Sequence, residues 1–372
     1  MATSIAEQVH LECINRARAN PGAEAYRLSI DLNEGLNPGT ISDTPKPPVV
    51  HNQDLQDAAA AHAAWELAND TMSHTGSGGS TPGERILAEG YNYSQYAENL
   101  GGYTTGSASP ANTAAELMHD ALFIDEGVDG RGHRKSILDP SLKEIGVGMV
   151  YGEFQGDDYT HLVVDNYATT FAGDTHFLCG VVFQDSNADG KYTGGEGMSG
   201  ISVVVKQGAA TIDSTTTGTA GDYTFALPAG DYTVTATLPT HGDVTKEFSI
   251  INSNVKVDFR YNPSTTEAPV INFGSDVDTI QTINEHTLKF IPQGVDPLPT
   301  RAVIYWSVAN TYVTYLNGVP VANTGTLQVS PESTTIYKLE SFGPAGDSSQ
   351  ELVITSLPWP PFDSDKKTFP VL

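Results

Sequence analysis

The spacing of apolar residues changes at about Gly173, and that change constrains the chain more than any other feature. Before it, Leu55, Ala58, Ala59, His62 and Trp65 recur at helical spacing within residues 54–69. Residues 5–19 read as a second helix, halted at Asn20-Pro21-Gly22. Ser109-Pro110 predicts an N-cap and a first-turn proline ahead of a buried stripe of Ala111, Ala115, Met118 and Leu122. A Pro/Gly-rich loop is expected at 35–48, and strands at 144–151 and 161–169. Helices beside a small sheet predict an α+β or sandwiched α/β domain.

After Gly173 the pattern becomes short alternating strands, at 201–206, 223–227, 232–238 and 255–261. A polar, proline-bounded linker follows at 262–269. A second all-β block then has strands near 303–308, 311–316, 325–329 and 335–342, with a hairpin signal at Asn317-Gly318. The expected fold class is multidomain: an α/β domain over 1–173, all-β sandwiches over 174–262 and 263–357, and a Pro-rich tail over 358–372.

Bulk properties narrow the function. Nineteen Lys and Arg against 45 Asp and Glu give a formal charge of −26, which opposes binding to nucleic acid or an anionic membrane. No apolar run approaches the roughly 18 residues of a membrane span. Residues 1–5 lack the basic start and apolar core of a signal peptide, so export is inferred from the modules. The two cysteines, Cys13 and Cys179, supply neither a disulfide framework nor a CxxC metal site. Either a bridge between modules or two buried thiols fits them. A monomer is expected.

Four segments carry a family resemblance: Asn52-Gln53-Asp54-Leu55-Gln56-Asp57-Ala58-Ala59, Met72-Ser73-His74-Thr75-Gly76, Tyr96-Ala97-Glu98-Asn99-Leu100 and Gly132-His133-Arg134-Lys135-Ser136-Ile137-Leu138. With Gly146-Val147-Gly148 and residues 163–168, they make the first module resemble the bacterial branch of the CAP superfamily, the SCP-like fold. The resemblance implies an α-β-α sandwich with His74, His133 and Glu98 around a central cleft. Two imidazoles and a carboxylate can hold an ion such as Zn²⁺ with a position open for water. Without metal, His and Glu can act as a general acid/base pair. The chain departs from the family before Gly132, where an insertion places Asp125, Glu126 and Asp129 near the cleft mouth. Asp125 is the expected fourth member.

Other candidates are weaker. His62 and Glu66, four residues apart, read as a packing pair on one helix face, and His10, His51, His119 and His161 have no supporting pattern. Ser73 and Ser136 adjoin the key histidines outside any GxSxG elbow, and HExxH is absent.

Residues 185–196 place Asp185, Asn187 and Asp189 at positions 1, 3 and 5, Gly190 at 6, Lys191 at 7 through its carbonyl, and Glu196 at 12. That is the arrangement with which an EF-hand loop wraps Ca²⁺. Strand patterns flank it in place of helices, and with Tyr223-Thr224-Phe225 and Tyr232 the module resembles the SdrD B-like repeats of bacterial surface proteins. The resemblance implies a structural Ca²⁺. Residues 268–357, with Trp306 on a strand, resemble a bacterial Ig-like domain and read as a spacer or a binding module.

Three functions are consistent with these features. One is an exported hydrolase acting on a peptide, ester or polysaccharide. The others are a protein that binds a lipid, sterol or protein partner in the same cleft, and a structural adhesin.

Overall fold

The computed structural model describes residues 3–171, 175–187, 189–239, 242–261, 268–282, 299–311, 313–343 and 346–358. Most of the expected linker (262–267), Ala188 of the acidic loop and the tail beyond 358 lie outside them. The chain forms two compact units, Met1–Ser186 with Lys191–Tyr261, and Asn187–Gly190 with Asn262–Leu372.

The first unit opens with α1 (Ile5–Ala19), started by a capping box in which Ser4 and Glu7 satisfy each other's backbone N–H groups. Asn20-Pro21 ends α1 and also begins α2 (Pro21–Arg27), because proline needs no N–H at a helix start. Then come β1 (Val50–His51), α3 (Gln53–Ala68), α4 (Pro82–Ala88), β2 (Tyr93–Thr104), α5 (Ala111–Ile124), α6 (Gly132–Ile137), β3 (Glu144–Phe154) and β4 (Asp157–Thr170). The expected N-cap of α5 is displaced: Pro110 itself caps the helix and no side chain donates or accepts there.

The sheet order is β1-β3-β4-β2, with β1 parallel to β3 and the other pairs antiparallel. Alternation along β3 puts helices on both faces. Gly146 faces α3 so closely that a Cβ would meet the Gln56 backbone N at 2.0 Å. Its neighbour Val147 packs on the opposite side with Leu11, Ile14, Met118 and Leu122 of α1 and α5. The result is an α-β-α sandwich.

The sandwich that follows contains β5 (His176–Gln184), β6 (Ser202–Gln207), β7 (Ala210–Thr216), β8 (Asp222–Leu227), β9 (Gly230–Leu238), β10 (Gly242–Ile250), β11 (Val255–Lys256) and β12 (Phe259–Tyr261). One sheet runs β10-β9-β6-β7; in the other, β8 pairs antiparallel with β5 while β11 and β12 both pair parallel to it. Their alternating residues, including Leu178, Val203, Phe225, Val234 and Phe259, form one core. This sandwich is joined to the first domain by polar and apolar contacts. Asn254 Nδ2 donates to the carbonyls of Pro48 (3.1 Å) and Lys143 (2.8 Å), and Lys256 pairs with Glu12 at 3.0 Å. Tyr192 packs against Ala6, Val9, Cys13 and Ala115. Cys13 and Cys179 are both buried and both free, so two separate thiols, not a bridge, are present.

The second unit holds β13 (Val270–Ser275), β14 (Thr279–Thr282), β15 (Ala302–Ala309), β16 (Val313–Leu316), β17 (Val319–Val321), β18 (Thr324–Val329), β19 (Thr335–Gly343) and β20 (Gly346–Pro358). Its sheets run β13-β15-β18 and β14-β20-β19-β16-β17 around Phe273, Ile304, Trp306, Leu339 and Ile354. Asn317 and Gly318 (φ 50° and 77°) make the expected two-residue turn between β16 and β17.

Candidate functional site

β2, the edge strand of the α-β-α sheet, carries the centre of the site. Successive residues on a strand point to opposite faces, and here the neighbours Glu98 and Asn99 each reach one of the two histidines. The Glu98 side chain is 1% exposed. His74 Nδ1 lies 2.8 Å from Glu98 Oε1, and Arg85 Nη2 donates to Glu98 Oε2 at 2.6 Å. Asn99 Nδ2 donates to the backbone carbonyl of His133 at 3.3 Å.

His74 follows a loop that α3 holds firmly. Ser73 is gripped on both sides: its N–H donates to Glu66 Oε1 at 2.8 Å, and its carbonyl lies 2.9 Å from His62 Nε2. Arg85, on α4, also donates from Nη1 to the carbonyls of His74 (3.2 Å) and Ser80 (2.9 Å). The backbone of His74 is therefore fixed, while its imidazole is 57% exposed. The Glu98 hydrogen bond raises the His74 pKa above the ordinary histidine value, and partial burial only partly opposes it. With Nδ1–H directed at the carboxylate, Nε2 of the neutral ring keeps its lone pair for solvent or substrate.

His133 sits at the start of α6. Asp125 caps α5 in the left-handed region (φ 55°), and this bend turns its carboxylate onto the next helix. Oδ2 accepts the N–H groups of His133 (2.9 Å) and Arg134 (3.3 Å), while Oδ1 lies 2.7 Å from His133 Nδ1. Burial alone would raise the Asp125 pKa, but the His133 hydrogen bond and charge, with both N–H groups, leave it below the ordinary value. The fully buried Arg134 fastens this corner through the carbonyls of Phe123 (2.6 Å) and Leu32 (3.0 Å). Glu126 and Asp129 are exposed and join neither cluster through any of these contacts.

Thus the structure assembles two imidazole–carboxylate pairs, His74–Glu98 and His133–Asp125, tied together through β2. It does not assemble the three-ligand metal set. Among the described residues, the trio whose donor atoms lie within 4.8 Å of one another is Glu24, His119 and Asp120, not His74, Glu98 and His133. The Glu98 oxygens already face His74 and the Arg85 guanidinium, whose positive charge opposes a cation there. Nor is the Glu24 trio an open ligand set, because Glu24 accepts from Arg16 (2.8 Å) and Arg27 (2.7 Å) as well as facing His119 (3.0 Å).

Sequence reading missed Arg85, Asn99 and the grip of Glu66 on Ser73. The capping box of Thr81 and Glu84 signals α4, yet nothing local says that Arg85 faces Glu98. It also missed a buried pair in the opposite layer, where His10 Nε2 lies 3.2 Å from Asp165 Oδ2 and both side chains are inaccessible.

In the acidic loop, Gly190 has φ 76°, the conformation its sixth position requires. Glu196, at position 12, is buried, and its carboxylate folds back to accept from Ser186 N (2.7 Å) and Thr193 N (2.9 Å). Asp185 is buried beside Arg260 at 3.5 Å. Asn187 Oδ1 accepts from Asp189 N at 3.0 Å.

Comparison with known proteins finds two family matches. Residues 11–167 match the cysteine-rich secretory protein family (CAP), and residues 177–283 match the SdrD B-like domain. Similar solved structures include an extracellular SCP-domain protein of Bacillus anthracis, 21% identical over 34% of this chain and 35% of that one, TM-score 0.24. Another is an outer surface protein of Borrelia burgdorferi, 16% identical over 32% of this chain and 78% of that one, TM-score 0.25. The match thus spans about a third of the length of the Bacillus protein. No curated protein sequence matches the chain. The chain carries a CAP domain followed by an SdrD B-like domain.

Proposed function

We propose that this chain is an exported or surface-displayed hydrolase whose CAP domain works by imidazole acid–base chemistry without a cleft metal. The observation that carries the reading is the His74–Glu98–Arg85 arrangement: an exposed imidazole whose Nδ1 is held by a buried carboxylate, itself held by a guanidinium. His74 Nε2 takes a proton from water as that water's oxygen bonds to the electrophilic carbon of a peptide, ester or glycoside. The His74 imidazolium so formed returns its proton to the departing atom. Each role needs one imidazole in the correct protonation state near neutral pH, where histidine titrates. Export is supported by the company of CAP and SdrD B-like modules. The formal charge of −26 argues against nucleic acid as substrate.

The test compares wild type with His74→Ala and Glu98→Gln on casein, p-nitrophenyl acetate and a mixed polysaccharide panel. Turnover that both substitutions reduce about a hundredfold supports the reading. Equal turnover in all three proteins refutes it, and ligand capture without turnover transfers the cleft to a binding role.

The acidic loop is proposed to hold one structural Ca²⁺ through Asp185, Asn187, Asp189, Glu196 and the Lys191 carbonyl, supported by the φ of Gly190 and the inturned Glu196. Calcium at a hundredfold excess over its Kd should stabilise the protein by about 2.7 kcal/mol, seen as a raised Tm that chelator reverses. Glu196→Gln should abolish that response. A Tm indifferent to calcium sinks the assignment.

A further inference from the structure

Away from the histidine pairs, a groove of about 500 Å³ opens within the first unit beside the end of β4 and the start of β5. Its size falls in the range that takes a small organic ligand. The lining combines aromatic and polar groups: Phe171 and Phe177 with Asp54, Asn92, Lys143 and Thr170. Phe171 is 79% exposed. An aromatic ring left in water is a cost unless something covers it. Glu144, also in the lining, is occupied internally, accepting from Tyr91 Oη at 2.6 Å and Asn52 Nδ2 at 2.8 Å. That leaves Asp54 and Lys143, of opposite charge, in a chain that otherwise carries −26.

We propose that this groove binds a short neutral oligosaccharide. A pyranose ring has one face of C–H groups that lies against an aromatic ring, and a rim of hydroxyls that both donate and accept. Phe171 supplies the first contact. Asp54 accepts from hydroxyls, Lys143 donates to them, and the Asn92 amide and Thr170 hydroxyl do both. The balance of one acid and one base selects a neutral sugar over a uronic acid, which the acidic surface also repels. The proposal is independent of the hydrolase reading, because none of these residues belongs to either histidine pair.

Isothermal titration calorimetry of the full chain with cellobiose, chitobiose and maltose tests it, with a galacturonic acid dimer as the anionic control. Saturable binding of at least one neutral disaccharide is expected, with the anionic control weaker. Phe171→Ala should weaken binding about tenfold; at its exposure this change leaves the fold and Tm intact. His74→Ala should leave binding unchanged even if it abolishes hydrolysis. The proposal is overturned if no neutral disaccharide binds, if Phe171→Ala binds as wild type does, or if the uronic acid dimer binds best.

Discussion

Replacing Glu66 by glutamine separates the mechanical task of this residue from its charge. Its side chain is inaccessible, and Oε1 accepts the Ser73 N–H that precedes the reactive His74. Burial pushes its pKa up from 4.5 to about 7. The folded protein therefore binds a proton on Glu66 at pH values where the unfolded chain has released it. Stability from this source is complete below about pH 4.5 and is lost as pH rises through about 7. A shift from 4.5 to about 7 corresponds to about 3 kcal/mol at most. Relaxation of the surrounding protein around the ionised carboxylate reduces this, so about 1–2 kcal/mol is the better figure. Glutamine keeps the acceptor for Ser73 and removes the charge. Glu66→Gln should then be more stable than wild type at pH 8 by about 1–2 kcal/mol, a Tm gain of about 2–8 °C, with no gain at pH 4.5. Differential scanning calorimetry at pH 4.5, 6 and 8 measures this. A variant less stable at pH 8, or one with the same offset at every pH, refutes the argument.

Glu98→Gln replaces the ionised acceptor of the His74 hydrogen bond by a neutral amide, so the imidazole titration followed by NMR should move down toward the ordinary histidine value; an unmoved titration would break the pairing. Asp125→Ala deletes the cap shared by His133 and Arg134 and should cost about 1–3 kcal/mol in urea denaturation, whereas Asp125→Asn, which tolerates φ 55° and keeps an acceptor, should cost less. Equal losses in the two variants would show that the carboxylate does not cap α6. Gly146→Ala drives a Cβ to 2.0 Å from the Gln56 backbone and should cost about 3 kcal/mol or more, so a variant as stable as wild type would contradict the close approach of α3 to β3.

What the sequence revealed and what it hid follow a physical division. Helix faces and alternating strands repeat locally, so α1, α3, β3 and β4 were legible to within a few residues, and the Asn317-Gly318 turn was legible outright. β2 was not read as a strand. Gly101, Gly102 and its many polar residues dilute the alternation, and a twelve-residue edge strand with one partner is shaped by that partner. His74, Glu98, His133 and Asp125 came from motifs, and their pairing is a matter of three dimensions. Glu98 lies 24 residues from His74. Arg85 has no motif at all. The buried His10–Asp165 pair spans 155 residues, beyond any local pattern. Nor did the motifs reveal that Glu98 is closed to a cation by Arg85, because a ligand list names donors and omits their competitors.

The parallel pairing of β12 with β5 has a mechanical consequence. Chain enters the sandwich at the start of β5 and leaves it at the end of β12, and Phe259, Arg260 and Tyr261 run alongside Val182, Phe183 and Gln184. Tension between the incoming and outgoing chain pulls these neighbouring strands past each other along their length. Their hydrogen bonds, with those of β11, then resist in shear and must yield nearly together, whereas an antiparallel hairpin pulled from its open end unzips one bond at a time. Load applied across the two ends of this sandwich is therefore borne along β5.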